Sequence, residues 1–285
     1  MNKPINPKSL KAMTSYLDSP GQAVGLIGPR GLDKTYLAKY LTVRLLHLSD
    51  GELDKYPYFL DIKNEGLNSI SIDEVRSIND FIILKVPLKT AINRVILIER
   101  AERLTLEAQN ALLKNLEEPP MGTIFILTAE SLTSLLPTIT SRLYTISVFK
   151  PDKSELTSYY SQLDLDSADI AQAYLISDGY PGLMDLLLLN QESSLNDAAI
   201  RARKLLSSTT FERLSYASDL AKDKEDLINT LFVIKQMAKI GISSSDPKQA
   251  VRWHKILAAT LKSENRLALN VQAKLVLTDY ILSIA

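Results

Sequence analysis

Gly28, Lys34 and Thr35 stand at the spacing of a phosphate-binding loop, within Val24-Gly-Leu-Ile-Gly-Pro-Arg-Gly-Leu-Asp-Lys-Thr35. The full pattern is G-x-x-x-x-G-K-[ST]. Its backbone N–H groups and the following helix N-terminus point at phosphate oxygens, while the lysine reaches the β- and γ-phosphates and the hydroxyl meets magnesium. In this chain the second fixed glycine is Asp33. A carboxylate there puts negative charge where the loop attracts an anion, and a Cβ where glycine lets the ligand come close. Arg30, beside Gly31, adds a positive charge that can offset Asp33. Lys34 and Thr35 are also good first-turn helix residues, so a binding and a purely structural reading both stand for them.

A second chemical position follows Arg94-Val-Ile-Leu-Ile98, a strand read as wholly apolar and buried on both faces of a parallel sheet. When such a loop hydrolyses ATP, the neighbouring buried strand ends in an acid that helps hold magnesium. A second acid commonly follows it and polarises the attacking water. Here Glu99 takes the first place, and Arg100 takes the second. An arginine stays protonated and cannot serve as a base. Asp33 and Arg100 are thus two independent departures from hydrolysis.

The elements that must position these residues alternate between strand and helix. Helical spacing at Leu10, Met13, Tyr16 and Leu17 marks a helix over 8–18, broken by Ser19-Pro-Gly. Strands are read at 23–27, 58–62, 94–98, 124–127 and 144–148, and helices at 34–48, 71–82 and 108–117. Ser71 and Glu74 form a capping box. His47 reads as a C-terminal cap of its helix rather than a ligand. Glu117-Glu-Pro-Pro120 reads as a helix stop, because proline cannot continue a helix. Alternation of this kind implies a parallel α/β sheet with ligands at the strands' carboxyl ends. After Phe149-Lys-Pro-Asp-Lys-Ser154, where a helix is expected to start at Ser154, the chain reads as helical. Gln191-Glu-Ser-Ser-Leu-Asn196 is a linker, and Gly241–Pro247 separates the last two long helices. Trp253 and His254 fall among apolar stripes and are taken as core or interface.

Composition narrows the function classes. The 285 residues are 46% hydrophobic and 23% charged, enough for a substantial core and more than one unit. Lys+Arg and Asp+Glu are equal at 33 each, which disfavours a protein held to nucleic acid by a global basic field. The absence of cysteine removes disulfides, thiolate zinc sites and cysteine nucleophiles, and two histidines are too few for a histidine-rich metal site, so no metal cluster of the chain's own is expected. No apolar run approaches a signal peptide or a membrane span, and a cytoplasmic location is the expectation.

Ala101-Glu-Arg-Leu-Thr-Leu-Glu-Ala-Gln-Asn-Ala-Leu-Leu-Lys-Asn-Leu-Glu-Glu-Pro-Pro120 strongly resembles the signature of bacterial clamp-loader subunits of the AAA+ class. Leu135-Leu-Pro-Thr-Ile-Thr-Ser-Arg-Leu143 resembles their Ser-Arg-Cys motif, with Leu143 in place of cysteine. The helix over 71–81 and the segment 267–277 are similar to other landmarks of the family, so the resemblance spans nearly the whole chain.

The resemblance implies an AAA+ phosphate-loop α/β domain over 1–150, a small helical lid over 151–190 and an all-α oligomerisation collar over 191–285. It implies that Arg142 is an arginine finger presented in trans to ATP held by a neighbouring subunit, and that Thr128 senses a γ-phosphate. A strand-capping threonine would look the same. The nucleotide set is Gly28, Arg30, Gly31, Lys34, Thr35, Glu99 and Thr128, with Asp33 and Arg100 disruptive. Its ligand would be ATP with magnesium, and no zinc is implied.

Within the family, Asp33, Arg100, the lack of cysteines between Leu48 and Tyr58, and Leu183 after Gly179-Tyr-Pro-Gly182 all point to the non-hydrolysing delta-prime branch. That branch implies a scaffold within the DNA polymerase III holoenzyme, with gamma/tau and delta subunits as partners and the sliding clamp and primer-template DNA met through the complex. The alternative is an ATP-hydrolysing gamma/tau-like subunit or a related AAA+ ATPase that tolerates Asp33.

Overall fold

The computed structural model describes residues 3–49, 51–63, 69–84, 86, 91–189, 194–242 and 246–284, with the backbone alone at 194–196. Its elements separate into two compact units, Met1–Glu155 and Leu156–Ala285.

The first unit runs α1 (Pro7–Asp18), β1 (Ala23–Ile27), α2 (Lys34–Leu45), β2 (Phe59–Ile62), α3 (Ile72–Ile83), β3 (Arg94–Ile98), α4 (Leu106–Glu117), β4 (Thr123–Ala129), α5 (Pro137–Thr140) and β5 (Tyr144–Ser147). The strands form one sheet in the order β2-β3-β4-β1-β5, every neighbouring pair parallel. β3 and β4 are buried along their whole length, as strands of a parallel sheet covered on both faces must be. Ile96, Ile98, Phe125 and Leu127 pack with Ala108, Leu112 and Leu116 of α4 and with Val75 and Ile78 of α3 in one apolar cluster.

Local chemistry sets the helix ends. Asn6 accepts the Lys8 N–H ahead of α1, Ser71 and Glu74 close a capping box on α3, and Thr105 caps α4. α4 stops at Glu117, just before the two prolines. α2 is shorter than read, ending at Leu45. His47 then takes φ 52°, and the Leu48 N–H reaches the Val43 carbonyl at 3.0 Å, so His47 closes the helix through its backbone. β3 is not wholly apolar. The buried guanidinium of Arg94 donates to the Ile82 carbonyl at 2.7 Å and to the Leu84 carbonyl, tying the C-terminal end of α3 to the sheet.

α6 (Lys153–Ser161) begins one residue before Ser154 and crosses the unit boundary. The second unit continues with α7 (Ser167–Ser177), α8 (Pro181–Leu188), α9 (Ser194–Ser207), α10 (Thr210–Leu220), α11 (Lys224–Ile242), α12 (Pro247–Ala268) and α13 (Ala273–Ile284). The lid over 151–190 and the collar over 191–285 do not separate into two bodies here. Leu183 of α8 is buried in the same cluster as Ala198, Leu231, Ile234 and Leu277, and that shared core merges the expected pieces. A smaller cluster of Leu156, Tyr160, Ile170 and Met184 lies beside it, with the Tyr160 hydroxyl donating to the Asp185 carboxylate at 2.6 Å. Of the linker read at 191–196, residues 191–193 lie outside the described residues and Ser194 already opens α9. Likewise 243–245 lie outside them, between α11 and α12. Trp253 is half-buried against Gly241, where a Cβ would come within 2.3 Å of the indole, and His254 is exposed. Among the described residues no helix is long and apolar enough to cross a membrane.

Candidate functional site

Parallel register decides which edge of the sheet each chemical residue occupies. β1 runs into the loop after Ile27, β3 into Glu99 and Arg100 after Ile98, and Thr128 pairs with Leu26 near the end of β4. Gly28, Arg30, Gly31, Asp33, Lys34, Thr35, Glu99, Arg100 and Thr128 therefore gather at the carboxyl edge. Arg142 does not. It precedes β5, whose first residue, Tyr144, pairs with Val24 at the far end of β1. Four residues of strand, about 13 Å of rise, separate that level from the loop.

The loop keeps its turn. Gly31 has φ 92°, and Asp33 occupies the left-handed region at φ 57°, ψ 46°, the conformation that favours glycine. Aspartate tolerates that region better than most side chains, which lets the backbone path survive the substitution. Gly28 is required by the sheet itself: a Cβ there would sit 2.8 Å from the Val148 carbonyl oxygen. Asp33 makes no side-chain cap bond to α2. Its carboxylate is ion-paired with Lys3, from the segment before α1, and both side chains are largely buried. Lys34 Nζ donates to the Gly28 carbonyl at 2.6 Å and to the Pro29 carbonyl at 2.9 Å, so the ammonium lies across the loop. Burial lowers its pKa, partly opposed by Glu130 and Glu102 and reinforced by Arg100 and Arg30.

The Thr35 hydroxyl donates to Glu99 Oε2 at 2.9 Å. Beside Glu99, at the end of the adjacent β2, lies Asp61, paired with Lys39 at 3.3 Å. Burial and the neighbouring Asp61 charge raise the Glu99 pKa above the ordinary carboxylate value, against the hydroxyl bond from Thr35 and the Lys39 charge. Arg100 takes φ 53°, and its backbone N–H donates to Thr128 Oγ1 at 2.9 Å, so the strand-end threonine is engaged by the residue after the acid. Among the described residues no group of three His, Cys, Asp or Glu is placed to hold a metal by itself.

The Glu99 shift has a testable sign. A carboxyl whose pKa is raised in the folded state favours its protonated form there, so its ionisation costs stability as pH climbs above the unfolded value of 4.5. Glu99→Gln keeps an acceptor for Thr35 and cannot ionise. In magnesium-free buffer the variant should melt higher than the parent at pH 7, and the difference should vanish towards pH 4. A difference independent of pH would show that Glu99 is not the strained group.

Arg142 sits at the end of α5 on an exposed surface, where Nη2 donates to Glu117 Oε1 at 2.6 Å and Nη1 to the Thr138 carbonyl at 2.6 Å. The fork is held in one orientation at the surface. Glu117, read from the sequence only as a helix end, is the residue that orients it. Asp61 and Lys3 were also missed. Asp61 carried a signal, since it is an acid next to the last residue of a strand, whereas Lys3 carried none.

A parallel sheet of this order, with a phosphate loop after β1, an acid after β3 and a polar residue near the end of β4, defines the first unit as an AAA+ phosphate-loop domain. Residues 18–152 match the family model described as DNA polymerase III, delta subunit. DNA polymerase III subunit delta' of Haemophilus influenzae is 33% identical over 127 residues, 44% of this chain and 38% of that protein. The Pseudomonas aeruginosa subunit delta' is 34% identical over 132 residues, 41% of this chain and 40% of that protein. The matches thus span about two fifths of the length of these relatives. A DNA polymerase III gamma subunit-related protein of Thermotoga maritima shares the fold, with a TM-score of 0.52 and 18% identity over 97% of this chain and 98% of that one. Over residues 18–152 the first unit is thus similar to DNA polymerase III delta' subunits.

Proposed function

We propose that the chain is a delta-prime-like subunit of the DNA polymerase III clamp loader that lends Arg142 to ATP held by a neighbouring subunit. The family-model match over residues 18–152 supports the setting, and one observation carries the mechanism: Arg142 lies at the amino edge of the sheet, across the strands from the chain's own phosphate loop. A side chain so placed cannot reach its own loop, and it is exposed and already aimed by Glu117. A guanidinium fork of fixed plane suits the charge that develops on a transferring γ-phosphoryl group. The partners are gamma/tau and delta subunits, with the sliding clamp and primed DNA met through the assembled ring.

The chain's own loop fits a nucleotide in its backbone turn, in Lys34, and in the Thr35–Glu99 pair, which would hold the phosphates and magnesium. Magnesium bound there would neutralise phosphate charge. The residue after Glu99 is Arg100, so no side chain at that position can accept a proton from water. The isolated chain should therefore show no ATP turnover above buffer, even with magnesium and primed DNA. The intact Thr35–Glu99 contact favours one competing reading, a hydrolysing gamma/tau-like subunit, and turnover by the pure chain that disappears in Lys34→Ala would establish it.

A further inference from the structure

The charge that the loop presents to a phosphate depends on a residue far from it in sequence. Lys34, Arg30, Arg100 and Arg103 lie among the carboxylates of Glu102 and Glu130, and Asp33 brings a further carboxylate into the loop itself. Left unpaired, the Asp33 carboxylate would repel a nucleotide polyphosphate at the turn of the loop. Lys3 sets a cation directly on Asp33. Its segment is tied down at both ends. The Lys3 N–H donates to the Tyr36 hydroxyl at 3.1 Å, and Lys3 Nζ lies 5.2 Å above that ring, so the strap is bound to the first turn of α2. Asn6 Nδ2 donates to the Lys150 carbonyl at 2.8 Å, anchoring it beyond β5.

We infer that the segment before α1 is a working part of the phosphate loop, with Lys3 cancelling the Asp33 carboxylate so that the loop accepts a nucleoside triphosphate. The left-handed turn at Asp33 preserves the backbone donors, and Lys3 engages the carboxylate that would otherwise repel phosphate. Asp33 and Lys3 act as a unit: either change alone alters the charge of the site, while both together restore the count. The inference rests on the reading that the loop takes a nucleotide and is independent of Arg142.

The test is isothermal titration of the full chain with ATP and magnesium, using the parent, Lys3→Met, Asp33→Gly and the double variant. Lys3→Met should weaken binding about tenfold, the effect of one charge a few ångströms from the ligand at a partly exposed site. In the Asp33→Gly background the same Lys3 change should cost less than twofold, and circular dichroism should show all four chains folded. Equal losses from Lys3→Met in both backgrounds would overturn the inference, as would a parent that binds no ATP while Asp33→Gly does. Failure of every variant, Asp33→Gly included, would overturn the nucleotide reading of the loop together with the role of Lys3.

Discussion

Arg142→Ala in this chain alone should slow hydrolysis at the neighbouring site of a reconstituted loader by on the order of 10³-fold, the scale of an arginine finger in phosphate-loop enzymes. The effect is confined to the transition state, where charge spreads over the γ-phosphoryl oxygens, so ATP affinity at that neighbouring site should change far less than its hydrolysis rate. Single-turnover hydrolysis with primed DNA and clamp measures the rate, and gel filtration of the ring checks assembly. Assembly should survive, because the substitution removes an exposed pair with Glu117 whose contribution is about 0–1 kcal/mol. Arg142→Lys should recover little of the rate, since an ammonium cannot reproduce the bidentate fork. If turnover is unchanged in Arg142→Ala, the chain is a passive scaffold and the proposed mechanism is wrong, whatever its likeness to delta' subunits.

Phe125→Ala should be the most damaging single change to the first unit. Phe125 is fully buried in β4, paired between Ala23 of β1 and Ile96 of β3, and it belongs to the cluster that joins the sheet to α4. Truncating a buried phenylalanine costs about 3–5 kcal/mol, from lost transfer energy and the cavity left behind. That is a large part of the ~5–15 kcal/mol that holds a domain together. Native-state amide exchange at Leu97 and Ile126 should accelerate about a hundredfold or more if these strands open only by global unfolding of the unit. A change below tenfold would mean that the core closes over the missing ring. The consequence is functional as well as structural, because β4 carries Thr128 and the same sheet sets the separation between Arg142 and the loop.

Features that depend on neighbours within a turn, or on an uninterrupted run, were legible from the chain. Ala23–Ile27 and Arg94–Ile98 have the bounds read for them, because an apolar run ending at a glycine or a charge leaves few alternatives. The Ser71–Glu74 capping box is a three-residue relation, and the structure contains both of its hydrogen bonds. The family signature at Ala101–Pro120 is likewise linear. The helical bodies beyond Glu155 were legible as helices, but not their grouping, since each apolar stripe is compatible with several partners.

The amino-acid sequence by itself thus determined the strand–helix alternation, the phosphate-loop pattern with its aspartate, and the likeness of the first unit to delta' subunits, all of which are written in short-range spacing. Tertiary structure alone decided that Lys3 meets Asp33 across 30 residues, that Glu117 meets Arg142 across 25, and that Asp61 stands beside Glu99. It also decided that the loop and the arginine occupy opposite edges of one sheet. The reason is topological: the strand order β2-β3-β4-β1-β5 is not sequential, so which chain ends meet depends on the packing of the whole sheet, and no local periodicity encodes it.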